Sequence, residues 1–425
     1  MVRKRIGPAR TVLVLVNLGA VLYFLLSFSG RGIGFAPYHI DLDVYRIGGQ
    51  TWLHGGDLYG VLPATGQGIR LPFSYPPIAA VLLAPLSLLP MAAAGTLLSL
   101  ATVALVAIVL RTFVTAAWPA ARPSWRTVGW LLPVALLLEP VRNTINYGQV
   151  NVLLMALVSA DCLARGPRWP RGALVGLAAA VKLTPGAFVL YFLLRRDYRA
   201  ARTAALSFCV TTAAGFLLAW HDSVRYWTSD VFQPGRPGNP DYAANQSIQA
   251  VLARAGLDPH TTAGLAAWLV LSAVTVLLAW RGMRHAVDRG RDAWALSLNA
   301  FAALLVSPIS WSHHWVWGET AMLVLACLGL QERPGARRRG LLVLAATGTA
   351  VFAAAPQWWL PGGSDRELHW AAWEQLAGSS YVLLAVAVLV VSATSGRARR
   401  AAVVAGPHAA AGVREPAPSA RVAGR

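Results

Sequence analysis

The sequence predicts an all-α, polytopic membrane protein, and three observations carry that prediction. Of the 425 residues, 56% are hydrophobic and only 13% charged, with a mean hydropathy of +0.51. Soluble domains carry about 25% charged residues, so this chain has too little polar surface to cover itself in water. Apolar runs recur along the chain, several near the roughly 20 residues that a helix needs to cross a hydrocarbon layer. The basic residues sit in short clusters between those runs. The net charge of +19 therefore reads as loop charge of a membrane protein, and no nucleic-acid partner is expected. A soluble globular enzyme is excluded. The three cysteines, Cys162, Cys209 and Cys327, lie in or beside apolar runs and make no disulfide framework.

Taken in order, the apolar runs are 11–29, 76–110, 127–140, 150–164, 173–181, 185–194, 203–219, 263–280, 293–309, 315–330, 341–356 and 379–395. Residues 11–29 lack a small-residue cleavage site after them and are expected to stay as an anchor. The run 76–110 is too long for one span and is broken by Pro85 and Pro90, which predicts one crossing preceded by a shallow or re-entrant helix. The runs 173–181 and 185–194 are each too short alone. With Pro185 between them, they predict a broken hairpin. The remaining runs predict one helix each.

Orientation follows from Lys and Arg. With the N-terminus in the cytoplasm and about twelve crossings, the inside segments are 1–10, 111–126, 165–172, 195–202, 281–292, 331–340 and 396–425. They hold 28 of the 37 basic residues. Moving one crossing would place two or more Arg clusters on the outer face. Both termini are thus expected inside a cytoplasmic membrane. Residues 1–395 form a single multi-pass domain, and the Ala/Arg/Pro/Gly-rich tail 396–425 is expected to be disordered.

Candidate chemistry lies in the outer segments. The first outer loop carries Asp41-Leu42-Asp43-Val44-Tyr45 and closes with Phe73-Ser74-Tyr75-Pro76-Pro77. Two acids beside a lipid boundary raise each other's pKa when desolvated, which suits a general base; solvated loop acids or a helix cap are the plainer alternative. Residues 139–151 bring Arg142, Asn146, Gln149 and Asn151, groups suited to sugar hydroxyls and a phosphate or to freed backbone at a tight turn. Lys182 falls between two half-length runs. A lysine at that depth costs roughly 2.5–3.5 kcal/mol unless it faces a cavity or an anion. Trp311, His313 and His314 end a late run at the outer surface. The two histidines have no further ligands at metal spacing, so no metal is expected, and a proton carrier or phosphate donor is the better reading. Asn245 and Gln246 are read as substrate or turn residues.

In this order, the blocks Asp41–Tyr45, Phe73–Pro77, Tyr147–Asn151, Lys182–Pro185, Asn245–Ile248 and Ser310–Trp315 resemble those of the actinobacterial polyprenyl-phosphate-mannose-dependent α-mannosyltransferases, glycosyltransferase family 87 of the GT-C class. The likeness spans roughly residues 11–330. It implies a GT-C-like fold with a catalytic first extracytoplasmic loop and no cofactor. The expected partners are a lipid-linked mannose donor, a mannosylated lipid or glycan acceptor (phosphatidylinositol mannoside, lipomannan or lipoarabinomannan) and membrane lipids. It puts the essential acid on Asp41, with Asp43 at a variable position, and a functional histidine on His313 or His314. Tyr45, Tyr75, Arg142, Asn146, Gln149, Asn151, Lys182, Asn245, Gln246 and Trp311 are the expected substrate contacts. A different lipid-linked sugar, such as arabinofuranose, and a transporter or flippase of such lipids remain the alternatives.

Overall fold

The computed structural model describes residues 38–404 except 122, 234–237 and 364, together with residues 11, 14–15 and 17–19. The expected anchor 11–29 therefore lies largely outside the described residues. Among the described residues the regular structure is helical, and the single β feature is an isolated antiparallel bridge between Asn245 and Trp311. In chain order the helices are α1 (Ile40–Leu53), α2 (Pro77–Ser87), α3 (Met91–Ala117), α4 (Trp125–Leu137), α5 (Glu139–Tyr147) and α6 (Asn151–Leu163). Next come α7 (Ala173–Val181), α8 (Val189–Leu194), α9 (Tyr198–Leu218), α10 (Trp220–Thr228), α11 (Ile248–Arg254) and α12 (Thr262–Val287). The last are α13 (Asp292–Val306), α14 (Trp317–Gln331), α15 (Ala336–Ala354), α16 (Ala372–Gly378) and α17 (Ser380–Val404). α17 thus continues to Val404, into the stretch expected to lack structure, and residues 405–425 lie outside the described residues.

The helices α3, α9, α12 and the segment Ala336–Trp359 are each long and apolar enough to cross a membrane, and α16 with Ser380–Thr394, bent by 70°, makes a fifth when paired. The apolar helices α2, α4, α6, α13 and Thr184–Leu194 are shorter. Short helices at membrane depth are tolerated where protein or a cavity covers their ends. Pro90 splits the run 76–110 as expected. Pro85 does not: it sits inside α2, near its C-terminal end. The first outer loop also begins as a helix, α1, rather than as irregular chain.

The half-length runs behave as a hairpin. Arg171, just before α7, and Arg195, just after α8, line one cavity, while Lys182 at the turn lines another. Nine residues of α7 rise about 13 Å, about half the length of a full membrane span, so Lys182 sits at the turn of a half-length hairpin. Asp161 anchors the base of this hairpin, its carboxylate accepting from the Gly172 and Val175 amides at 2.9 Å each. Arg171 donates to the carbonyls of Asp161, Cys162 and Ala164, closing the end of α6.

Each cavity draws on one set of loops. The first takes residues from 111–119, 162–171, 195–197, 289–294 and 331–332, among them the segments expected inside. The second takes residues from 40–45, 71–76, 147–149, 182–184, 226–244, 307–314 and 358, the segments expected outside. Gln149, just before α6, lines the second cavity and Cys162, near the far end of α6, lines the first, so the cavities lie toward opposite ends of that helix.

Small residues set the closest helix contacts. A Cβ on Gly176 would overlap the Ala204 carbonyl oxygen of α9, and one on Gly348 of α15 would overlap the Met322 sulfur of α14. Backbones approach this closely only where side chains are absent. Gly176→Val is therefore expected to destabilise the detergent-solubilised protein by about 1–3 kcal/mol, measured as a lowered Tm. Gly129→Ala, in open space, is expected to leave Tm unchanged or slightly raised.

Candidate active site

The second cavity has a volume of about 680 Å³. α1 supplies its acid. Asp41 lies in the first turn, and Tyr45, one helical turn later, faces the same way. Gln149 reaches Asp41 because of the residue before it. Gly148 ends α5 in the left-handed conformation at φ 69°, and any side chain there would run into Leu42 and His39 of the incoming α1 segment. α1 and the α5–α6 turn therefore close together. Gln149 Nε2 donates to Asp41 Oδ2 at 2.9 Å, while its Oε1 accepts from the hydroxyls of Tyr45 (2.6 Å) and Tyr75 (3.3 Å). These bonds fix the amide orientation, since only the carbonyl end accepts from phenols.

A basic group lies on the same wall. Lys182 Nζ donates to Asn151 Oδ1 at 3.1 Å and sits 3.0 Å from His314 Nε2, 5.4 Å from the centre of the Tyr75 ring. Since the ammonium can only donate, His314 accepts through Nε2 and is neutral there. Burial and the Lys182 charge both push the His314 imidazole well below its usual range. The adjacent carbonyl of His313 accepts from Asn151 Nδ2 (2.9 Å) and Thr144 Oγ1 (3.1 Å), which locks the histidine segment onto α5 and α6. The His313 ring, buried against Tyr147 at 5.2 Å, has no hydrogen-bond partner on either nitrogen among the described residues.

Asp41 lies outside the apolar runs but is half-buried. Its carboxyl is pushed up to about 6, chiefly by burial, against the lowering effects of the Gln149 hydrogen bond and the Lys182 charge. A carboxyl near 6 is ionised at neutral pH yet basic enough to take a proton from a hydroxyl as that hydroxyl attacks. Asp230, also on the cavity wall, is paired with Arg225 at 3.2 Å.

Several expected site residues lie elsewhere. Asp43 does not line the cavity; it accepts from Tyr38 Oη (2.5 Å) and the Gly66 amide (2.9 Å) and pairs with Arg46 at 3.4 Å, tying the first loop onto α1. Asn245 and Gln246 are fully buried. Asn245 donates to the carbonyls of Pro240 and Pro308 and accepts from the Ser310 amide, whereas Gln246 donates to the carbonyls of Ala243 and Gly378. Both clamp the chain beside Trp311. Arg142 lies beside Glu139, and the Asn146 carbonyl is 3.0 Å from His39 Nδ1; neither lines the cavity. Asp41, Tyr45, Tyr75, Gln149, Lys182, Trp311, His313 and His314 do line it, and Asn151 stands behind Lys182.

Sequence reading missed Tyr147, Tyr226, Tyr242 and Trp358 on the cavity wall, and Glu139 behind it. The Glu139 carboxyl, 0% exposed, accepts from Asn143 Nδ2 (2.6 Å), Ser312 Oγ (2.6 Å), Trp358 Nε1 (2.7 Å) and Tyr381 Oη (2.9 Å). An acid at the start of a short amphipathic helix was its sequence signal, but its partners are spread over more than 200 residues. Among the described residues, no three His, Cys, Asp or Glu side chains gather as metal ligands.

Residues 73–308 match the sequence model of Glycosyltransferase family 87. The chain is 41% identical over 400 residues to the polyprenol-phosphate-mannose-dependent alpha-(1-2)-phosphatidylinositol mannoside mannosyltransferase of Mycolicibacterium smegmatis, covering 89% of this chain and 88% of that one. It is 41% identical over 384 residues to the protein of the same name from Mycobacterium tuberculosis, covering 87% and 88%. Among solved structures it is similar to ArnT from Cupriavidus metallidurans bound to undecaprenyl phosphate, with 16% identity and a TM-score of 0.40 over 93% of this chain and 80% of that chain. On the family match and on identities of this extent, the chain belongs to glycosyltransferase family 87.

Proposed function

We propose that this protein is an inverting α-mannosyltransferase. It moves mannose from polyprenyl-phosphate-mannose to a hydroxyl of a phosphatidylinositol mannoside, forming an α-1,2 bond on the outer face of a cytoplasmic membrane. Its GT-C-like bundle has about twelve crossings with both termini inside, a count supported by the Lys and Arg distribution. The observation that carries the reaction is the pairing of an acid tuned to about 6 with a lysine and a histidine on one cavity wall.

The roles follow from the chemistry. A lipid phosphate is a good leaving group and needs little protonation. One base is then enough, unlike a glycosidase, which needs an acid as well. Asp41 takes the proton from the acceptor hydroxyl. Gln149, held by Tyr45 and Tyr75, keeps its carboxylate in place. Lys182 neutralises charge as it grows on the departing phosphate, and His313, with neither ring nitrogen hydrogen-bonded among the described residues, supplies a further donor. His314 holds the lysine. Attack opposite the phosphate inverts the anomeric carbon, so a β-linked donor gives an α-linked product. The place of Lys182 at the turn of a half-length hairpin suits a phosphate drawn from a lipid.

Two measurements test this reading. In membranes with matched expression, transfer from radiolabelled polyprenyl-phosphate-mannose to phosphatidylinositol mannoside is expected to fall at least about 100-fold in Asp41→Asn, with and without EDTA. Unchanged transfer in that variant would remove Asp41 as the base, and transfer only from an arabinofuranose donor would change the sugar. The base form is needed, so activity is expected to fall as pH drops through about 6. Lys182→Met removes a charge that lowers Asp41, so the residual activity is expected to lose its acidic limb at a higher pH than wild type. A limb that stays put breaks the coupling.

Stability carries the opposite sign. Because the folded value of Asp41 is raised, its ionisation costs stability once pH exceeds the unfolded value, and the full cost is present above about 6. Asp41→Asn, though inactive, is expected to show a Tm at pH 8 no lower than wild type.

A further inference from the structure

We infer that Tyr242, Trp311 and Trp358 form a stacking subsite for the terminal sugar ring of the glycolipid acceptor, with Glu139 as the residue that positions it; this rests on the transfer reaction proposed above. The three rings form one aromatic group on the cavity wall. Tyr242 stands nearly perpendicular to both neighbours, 6.0 Å from Trp311 and 6.2 Å from Trp358. Tyr242 is 38% exposed and Trp358 37%, and Trp311 is half-buried, so all three rings keep surface that the protein does not cover.

The two substrates call for different surfaces. The donor brings its phosphate to the reacting carbon and needs cations, which Lys182 and its neighbours provide. The acceptor's phosphate is in its lipid headgroup, remote from the terminal sugar, so the ring that enters the cavity is neutral. A pyranose presents a C–H face that packs on an aromatic ring and hydroxyl edges that do not, which favours a flat, uncharged wall. Tyr147 joins this wall to the base. Tyr147 lines the same cavity as Asp41, Tyr242 and Trp358, so the rings and the acid face one space.

The wall is built to hold its shape. The Glu139 carboxyl accepts from Trp358 Nε1 at 2.7 Å and from Ser312 Oγ at 2.6 Å, and Ser312 follows Trp311 directly. Asn245 bridges Trp311, and the Gln246 amide donates to the Ser310 carbonyl at 2.8 Å. The Asn245–Gln246 pair thus serves the acceptor by fixing the chain that carries Trp311.

The test measures KM for each substrate separately, using purified phosphatidylinositol mannoside and radiolabelled polyprenyl-phosphate-mannose with membranes expressing each variant. Tyr242→Leu and Trp311→Leu remove the flat surface and keep bulk; Tyr242→Phe and Trp311→Phe keep a ring. The Leu variants are expected to raise the acceptor KM about tenfold, near 1.4 kcal/mol, with the donor KM unchanged. The Phe variants stay within about threefold of wild type. Glu139→Gln is expected to raise the acceptor KM alone, at a kcat that falls less. An unchanged acceptor KM in both Leu variants overturns the subsite, and so does an equal rise in both KM values, which would mean a general role in cavity shape. In either case, mannose transfer by wild type would leave the proposed reaction standing. Absence of wild-type transfer from the mannose donor would remove the reaction and the subsite together.

Discussion

An ammonium and a carboxyl group half-buried on one cavity wall must be matched by other polar groups, because charge taken out of water is expensive unless it is paired or hydrogen-bonded. Much of the site answers that demand. Lys182 has Asn151 and His314 within hydrogen-bond distance. Asp41 has Gln149, and Gln149 is itself held by two tyrosines. The pairing is incomplete, which leaves Asp41 near 6 rather than fully ionised in the acidic range. That partial satisfaction makes the carboxylate useful: with more donors it would be too weak a base, and with none it would remain protonated.

The bundle delivers those two groups on separate elements. α1 brings Asp41 to the cavity from one side, while the α7–α8 hairpin brings Lys182 at its turn. The hairpin is rooted by Asp161 and Arg171, whose bonds to α6 and to the start of α7 leave the turn little freedom to slide. Close glycine contacts between α7 and α9 do the same from the side.

Much of the helical architecture was legible because composition and interrupted hydrophobicity are strong, additive signals. Apolar runs became helices almost one for one, and the breaks at Pro90 and Lys182 were visible as interrupted hydrophobicity. Direction was harder to read. Asp41 and Asp43 are two residues apart, about 200° around a helix, so one enters the cavity and the other turns to Tyr38, Gly66 and Arg46. Treating the segment as irregular loop concealed that split. Of the substrate and turn roles open to Asn245 and Gln246, the hydrogen bonds match the second: their donors go to backbone carbonyls. Trp358 and Glu139 were missed for a different reason. Their meaning depends on contacts between residues 139, 312, 358 and 381, which no local pattern encodes.

The Glu139 carboxyl gathers donors from four separate stretches of chain, the last of them Tyr381 in the final helix. During synthesis the acid is made early and enters its apolar surroundings long before Ser312, Trp358 and Tyr381 exist. Until they arrive it must remain hydrated or take up a proton. Completion of the site is therefore tied to insertion of the C-terminal end: a chain stalled or clipped before residue 381 retains Asp41 and Lys182 and still lacks a settled aromatic wall. The wall thus joins segments far apart in the chain, so a change near Tyr381 reaches the site through Glu139.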